Sequence, residues 1–516
     1  MKTLRSYLCD QWQAGQGTGS TLYDPTTGAA VATASTDGLD LAAAFAHARS
    51  KGRESLAAMT FAERGALLRA MSKAIHARRE QLIETGRING GNTRGDAKFD
   101  IDGATGTLMY YAGLGKELGD RKVLLDGDPI TIGASSRLQG QHILTPRPGV
   151  AVHINAFNFP AWGLAEKAAC AILAGVPVIS KPGTATAMLT VEMVEAVVDA
   201  EILPPGVLSL VVGSARDLVD HAQWSDVIAF TGSADTGEQI RQQALATGAT
   251  VNIEADSLNA TVLVPDAADA TYDAFIRDVA REMTQKAGQK CTATRRVFVP
   301  ADMVDDVIED LGERLGQISV GDPARDDVRM GPLASQSQYR AAREGIETLL
   351  KECDVAWGQV ERGPLPGVDG DIDPGVGCFV TPLLLRARDG ATAVHDLEVF
   401  GPVSTVIAYA GDPASAADGV RRGQGSLVCS IYGDDRDFLG ELIPALAGWH
   451  GRVVVTDGKI ADKAFGPGMV LPHLIHGGPG RAGGGEELGG LRGMQLYQQR
   501  TAVQGNGPLL AKLLDR

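Results

Sequence analysis

The chain has 516 residues, 44% hydrophobic and 22% charged, with a formal net charge of −15; this suits a soluble globular protein of two or three lobes and excludes a disordered or fibrous chain. The acidic balance argues against nucleic acid or an anionic membrane as partner, leaving room only for a local basic pocket. No apolar run approaches a membrane span, the start Met1 to Tyr7 lacks a signal-like apolar core, and the six cysteines form no Cys-x-x-Cys pair, so reduced thiols in the cytoplasm are expected.

In chain order, residues 40–58 and 61–87 read as two polar-faced helices packed outside a sheet. Asp126-Gly127 between apolar runs in 121–145 signals a hairpin, an arm suited to pairing with another subunit. From residue 149 short Val/Ile-rich runs alternate with helical stretches: strands at 149–154, 176–180, 208–212, 227–230 and 250–253, helices at 160–173, 185–200 and 235–246. Such alternation marks a parallel, doubly wound sheet, which binds ligands at its strand carboxyl ends. A second α/β block begins near 259, with strands at 260–264, 296–299, 403–409 and 452–456 and helices at 268–287 and 301–318. A Gly-rich stretch covers 477–490.

Two residues carry the chemistry. Cys291 falls between a helix and a strand, and Glu254 lies 37 residues upstream at the end of another strand. A thiol and a carboxylate together can capture an aldehyde, lose a hydride, and hydrolyse the resulting thioester with an activated water. Either residue alone is more often a buried apolar cysteine or a solvated glutamate. No Gly-x-Gly-x-x-Gly follows an early strand; instead Gly232-Ser233 through Gly237 joins a strand to a helix. Its free N–H groups suit a pyrophosphate, although Ser233 or Thr231 acting as an ordinary helix cap explains the same residues.

Further segments make the chain resemble the aldehyde dehydrogenase family over about residues 20–505. Ala156-Phe157-Asn158-Phe159-Pro160 stands for Pro-Trp-Asn-Phe-Pro, Lys181-Pro182-Gly183-Thr184 for Lys-Pro-Ser-Glu, and Glu398-Val399-Phe400-Gly401-Pro402 for Glu-x-Phe-Gly-Pro, in the family's order. The resemblance implies an α/β fold of three parts: a Rossmann-like dinucleotide-binding domain (1–120 and 146–257), an α/β catalytic domain (258–475) and a small β oligomerisation element (121–145 and 490–516). Implied catalytic roles are Cys291 as nucleophile, Glu254 as the base for the deacylating water, and Asn158 with the Cys291 backbone N–H as oxyanion donors. By itself Asn158 also reads as a turn residue before Pro160. The Cys–Glu spacing slightly exceeds the family's, implying a small insertion. Glu487 matches the last family glutamate; relaying a proton to Glu254 and capping a helix are both open to it.

Cofactor contacts implied by the resemblance are Lys181, Thr184, Phe157, Gly232, Ser233, Glu398 and Phe400. Relatives that prefer NAD usually carry glutamate where Thr184 stands; a neutral hydroxyl there removes the repulsion of a 2′-phosphate, so NADP is the expected cofactor, with NAD possible. The segments Glu254-Ala255-Asp256-Ser257-Leu258-Asn259 and Gly478-Pro479-Gly480-Arg481-Ala482-Gly483 depart from the general pattern. They resemble the branch of the family acting on CoA-linked semialdehydes in aerobic degradation of aromatic acids. The chain ends soon after the last motif, as expected of a stand-alone dehydrogenase. A small free aldehyde as substrate and a non-catalytic member of the fold are the alternatives; a CoA-acylating relative generally lacks a water-activating carboxylate. A homodimer or a dimer of dimers is expected. No metal is implied: none of the nine histidines sits in ligand spacing, and His473 and His476 read as lining a loop.

Overall fold

The computed structural model describes residues 1–514 except 216, 361–367 and 370–376. Parts of the expected catalytic domain, and residues 515–516 of the expected oligomerisation element, therefore lie outside the described residues.

Two seven-stranded sheets organise the chain. The first runs Thr250–Glu254, Val227–Thr231, Ala151–Ile154, Val178–Lys181, Leu208–Leu210, Ser6–Leu8 and Gln11–Gln13. Its first five strands are parallel and the N-terminal hairpin closes the edge antiparallel. Val227-Ile228-Ala229-Phe230 are all buried, as a strand covered by helices on both faces requires. The second sheet runs Cys353–Trp357, Leu383–Ala387, Val403–Tyr409, Arg296–Pro300, Ala260–Leu263, Ser426–Tyr432 and His450–Thr456, parallel except at the first pair.

Several boundaries differ from the sequence expectation. The 61–87 stretch is two helices, Phe61–Ala77 and Arg79–Gly90, broken at Arg78. A capping box between Thr60 and Glu63 starts the first. Residues 40–58 contain a π turn at Ala48–Gly52, where the backbone of Gly52 presses against Gly206. The 25-residue helix Arg94–Leu118 has no counterpart among the expected elements. Its glycines lower helix propensity, yet two of them make its packing possible. A Cβ on Gly115 would lie 2.8 Å from Gly65 Cα, and one on Gly103 would lie 2.2 Å from the Trp162 ring.

The arm is also built differently. Asp126-Gly127 is not the hairpin turn; it lies inside the strand Leu124–Thr131, where the register shifts between Asp126 and Ile130. A bulge uses the positive φ of Gly127 just as a turn does. The turn comes at residues 132–137, and Leu138–Pro146 returns between Leu124–Thr131 and the late strand Gln498–Asn506. Among the described residues no helix is long and apolar enough to cross a membrane.

Candidate active site

The carboxyl ends of the first sheet's strands converge on one cleft. Glu254 closes its own strand, Thr231 closes the next, and Asn155 to Asn158 follow Ile154. The cleft, of about 1230 Å³, is lined by Phe157, Asn158, Thr184, Gly232, Ser233, Glu254, Cys291, Glu398 and Phe400 among others. Nine of the eleven expected site residues thus share one space. Ser233 caps the helix Ala234–Thr247 by accepting from Thr236 N at 3.4 Å while also facing the cleft, so both sequence readings of this turn describe it. Gly232 is demanded by packing, since a Cβ would meet the Phe230 ring at 2.4 Å.

A second chamber, of about 510 Å³, opens on the other side of Cys291. Phe99, Phe159 and Trp162 meet edge-on along it, with ring centroids 5.4 to 6.0 Å apart. Asn155, Asn158, Thr231, Glu254 and Cys291 belong to both spaces. The thiol therefore stands where a polar cleft at strand ends meets an aromatic passage.

Around the sulfur the structure adds a residue that sequence reasoning missed. His476 does not line a loop; it lies buried in the strand Ile475–Gly477, held by antiparallel pairing to Glu486–Leu488. Its Nε2 is 3.1 Å from Glu254 Oε1 and 3.8 Å from Cys291 Sγ. Burial disfavours a charged imidazole, but the Glu254 carboxylate outweighs it and raises the His476 pKa. Burial likewise pushes Glu254 up, while His476 and Lys167 prevail and hold its carboxyl below the usual range. Burial and the neighbouring Glu254 push the Cys291 thiol well up. The resting pair is thus a carboxylate beside a protonated thiol, the arrangement in which the carboxylate can take the proton as sulfur attacks.

Glu487 lines neither space directly. It is no helix cap: it sits in the strand Glu486–Leu488, where its Oε2 pairs with Lys167 Nζ at 3.0 Å and its Oε1 accepts from Asn252 Nδ2 at 3.3 Å. Lys167 Nζ also contacts Glu166 at 3.2 Å, and both Glu166 and Lys167 line the aromatic chamber. Burial and the nearby carboxylates raise Glu166 to about 7 against the pull of Lys167. No local spacing links 166–167 to 487; a proton-holding network there emerges only in three dimensions.

The aldehyde dehydrogenase family profile matches residues 12–500. The chain belongs to the aldehyde dehydrogenase family. That makes it one of the NAD(P)-dependent oxidoreductases that act on aldehydes. It is 46% identical over 482 residues to 3,4-dehydroadipyl-CoA semialdehyde dehydrogenase of Aromatoleum evansii, covering 92% of this chain and 93% of that one. Hydroxyisobutyraldehyde dehydrogenase of Mycolicibacterium austroafricanum is 28% identical over 440 residues, 84% of this chain and 80% of that one. Among solved structures, betaine aldehyde dehydrogenase of Staphylococcus aureus in complex with NAD+ superimposes with TM-score 0.84 at 22% identity, covering 98% of both chains.

In this aldehyde dehydrogenase the loop bearing Cys291 is fixed by a residue not singled out for a role from sequence. Asn259, fully buried, donates to the carbonyls of Cys291 at 2.7 Å and Ala293 at 2.9 Å, and its Oδ1 accepts from Ser257 Oγ and Val428 N. All four amide hydrogen-bonding sites are used. Asn158 Nδ2 donates to Gln289 O at 3.0 Å. Glu398 is braced by Arg295 Nε at 3.1 Å and Ser257 N at 2.9 Å, while Arg295 lies over the Phe400 ring. Phe157 and Phe400 face each other edge-on at 5.9 Å. Thr184 Oγ1 donates to Gly213 O at 3.2 Å. Lys181 ends its strand close by but is not among the cleft-lining residues; its Nζ donates to Pro182 O at 3.4 Å. Strand ends, a helix N-terminus and facing aromatic rings are the parts a nicotinamide dinucleotide needs, so the cleft fits that cofactor.

Proposed function

We propose that this dehydrogenase oxidises a semialdehyde carried on a CoA thioester to the corresponding carboxylic acid, with NADP as hydride acceptor. The observation that carries the reading is Cys291 beside Glu254 at the junction of a dinucleotide-sized cleft and an aromatic chamber. Similarity to a CoA semialdehyde dehydrogenase along nearly the whole chain supports the substrate class.

Bound NADP supplies the hydride acceptor. Cys291 Sγ attacks the aldehyde carbon as its proton passes to Glu254, and the alkoxide that forms is held by Asn158 Nδ2 and the Cys291 backbone N–H. Loss of hydride leaves an acyl thioester on Sγ. Glu254 then removes a proton from water, which adds to the thioester carbon and expels the thiolate with release of the acid. Glu166 and Glu487, both paired to the Lys167 ammonium at the chamber wall, are the carboxylates we assign to accept the proton that Glu254 collects in the first step and so return it to its basic form. A neutral Thr184 in the cleft spares a 2′-phosphate the repulsion of a carboxylate.

Assembly belongs to the same proposal. The arm sheet leaves Leu125, Ile130 and Leu138 exposed, an apolar surface that a dimer or a dimer of dimers covers.

NADPH formation measured with adipyl-type CoA semialdehydes, and with free aldehydes of equal chain length, tests the reading. The expected result is a higher kcat/KM for the CoA-linked substrate and for NADP over NAD. Equal or better turnover of the free aldehyde replaces the substrate assignment with a small free aldehyde, and a larger kcat/KM with NAD overturns the cofactor preference.

A further inference from the structure

The side chains around the nucleophile have a second use that aldehyde oxidation does not require. Cys291 Sγ, His476 Nε2 and a Glu254 carboxylate oxygen all lie within 4.8 Å of one another. Thiolate, imidazole and carboxylate are the donors that zinc selects. Zinc bonds of about 2.3 Å to sulfur and about 2.0–2.2 Å to nitrogen and oxygen put tetrahedral ligands about 3.6 Å (S–N) and about 3.4 Å (N–O) apart. The observed separations are 3.8 Å and 3.1 Å, so closing onto a metal changes them by only about 0.2 Å and about 0.3 Å.

Three further observations favour a cation here. The ligands come from separately braced segments: Glu254 ends a parallel strand, His476 is paired to Glu487, and the Cys291 carbonyl is held by Asn259. Glu254 Oε2 is buried without a hydrogen-bond partner among the described residues, leaving an acceptor in the wall of the chamber. Finally, the Lys167 ammonium is shared by Glu166 at 3.2 Å and Glu487 at 3.0 Å while Glu254 rests against His476, and buried carboxylates gathered this closely gain from a divalent charge.

We infer that Cys291, His476 and Glu254 form a three-ligand site for Zn2+, with a fourth position open to water in the aromatic chamber, and that zinc there holds the enzyme in a reversible inactive state. The bonds formed are S–Zn and Nε2–Zn with the Glu254 carboxylate as third ligand, and the bonds broken are Cys291 S–H and the His476 Nε2–H that faces Glu254, both protons leaving for solvent. Nucleophile and base are blocked together, because both supply ligands. The inhibitory consequence rests on the role proposed for Cys291, whereas the binding itself does not.

The test titrates Zn2+ into the reduced, chelator-stripped full-length chain by calorimetry, beside Cys291→Ala, His476→Phe, Glu254→Gln and Cys9→Ser, each checked for wild-type thermal unfolding. The expected result is one high-affinity site per chain, weakened at least tenfold in the first three variants and unchanged in Cys9→Ser. X-ray absorption should show one sulfur and two or three nitrogen or oxygen ligands. Free zinc at ten times its Kd should slow iodoacetamide alkylation of Cys291 about tenfold by mass action, and a chelator should restore it. Binding that survives His476→Phe, or that follows Cys9 instead of Cys291, overturns the inference. A chain that binds zinc in this way yet oxidises no aldehyde leaves the site standing and removes the proposed function, so the two failures are separable.

Discussion

Burial holds the Cys291 thiol protonated, and an ionised Glu254 adds to it, because a thiolate there would place two negative charges within 4.8 Å of each other. Glu254→Gln removes one of those charges. The midpoint of the alkylation rate against pH for Cys291 should therefore move to lower pH, while aldehyde turnover falls about 10²- to 10⁴-fold through loss of the base. A midpoint that stays or rises shows that the carboxylate does not set the thiol's acidity. Asn259 permits a second test: Asn259→Ala leaves the Cys291 and Ala293 carbonyls and the Ser257 and Val428 donors without their partner. Buried groups left unpaired cost about 1–3 kcal/mol each, so thermal unfolding should drop clearly and kcat should fall with it. Cys291 and Glu254 were readable because their residue types and flanking segments carry reactivity. His476 was not, since a histidine ahead of a glycine-rich run shows no period and acquires its meaning only through contact with Glu254, 222 residues away.

Among the elements, the helices Phe61–Ala77 and Arg94–Leu118 cross at a glycine contact. Gly115→Ala would put its Cβ 2.7 Å from the Phe61 carbonyl oxygen and 2.8 Å from Gly65 Cα, and overpacking of this kind typically costs about 1–3 kcal/mol. Gly113→Ala, in the same helix with no atom within 4 Å of the added carbon, should instead stabilise by up to about 1 kcal/mol through helix propensity. Opposite shifts in the urea midpoint of the two variants are expected; equal shifts would mean that the contact is not tight. The same glycines hid this helix from propensity reasoning, because their benefit lies in a partner helix that the local pattern does not contain. The parallel strands at 151–154, 178–181 and 227–231 were visible for the converse reason: burial on both faces leaves near-continuous apolar runs. The arm turn was misplaced because a Gly with positive φ serves a bulge as readily as a hairpin.

Across the whole molecule, the arm offers the test of assembly. Leu125→Asp combined with Ile130→Asp should shift the mass measured by light scattering toward the monomer while leaving the cofactor cleft intact, since neither residue lines it. An unchanged mass means that the arm surface holds no subunit contact. Gln498–Asn506 pairs with Leu138–Pro146 through nine consecutive residue pairs, Tyr497 Oη meets His153 Nε2 at 3.1 Å across a separation of 344 residues, and His476 and Glu487 reach the nucleophile's surroundings from the same late part of the chain. During translation, the strands that frame the cleft emerge long before the residues that finish the chemistry. A ribosome-held chain lacking its last segments should thus turn over no aldehyde, because the segment bearing His476 and the strand that closes the arm sheet, which pairs with one made some 350 residues earlier, are both missing.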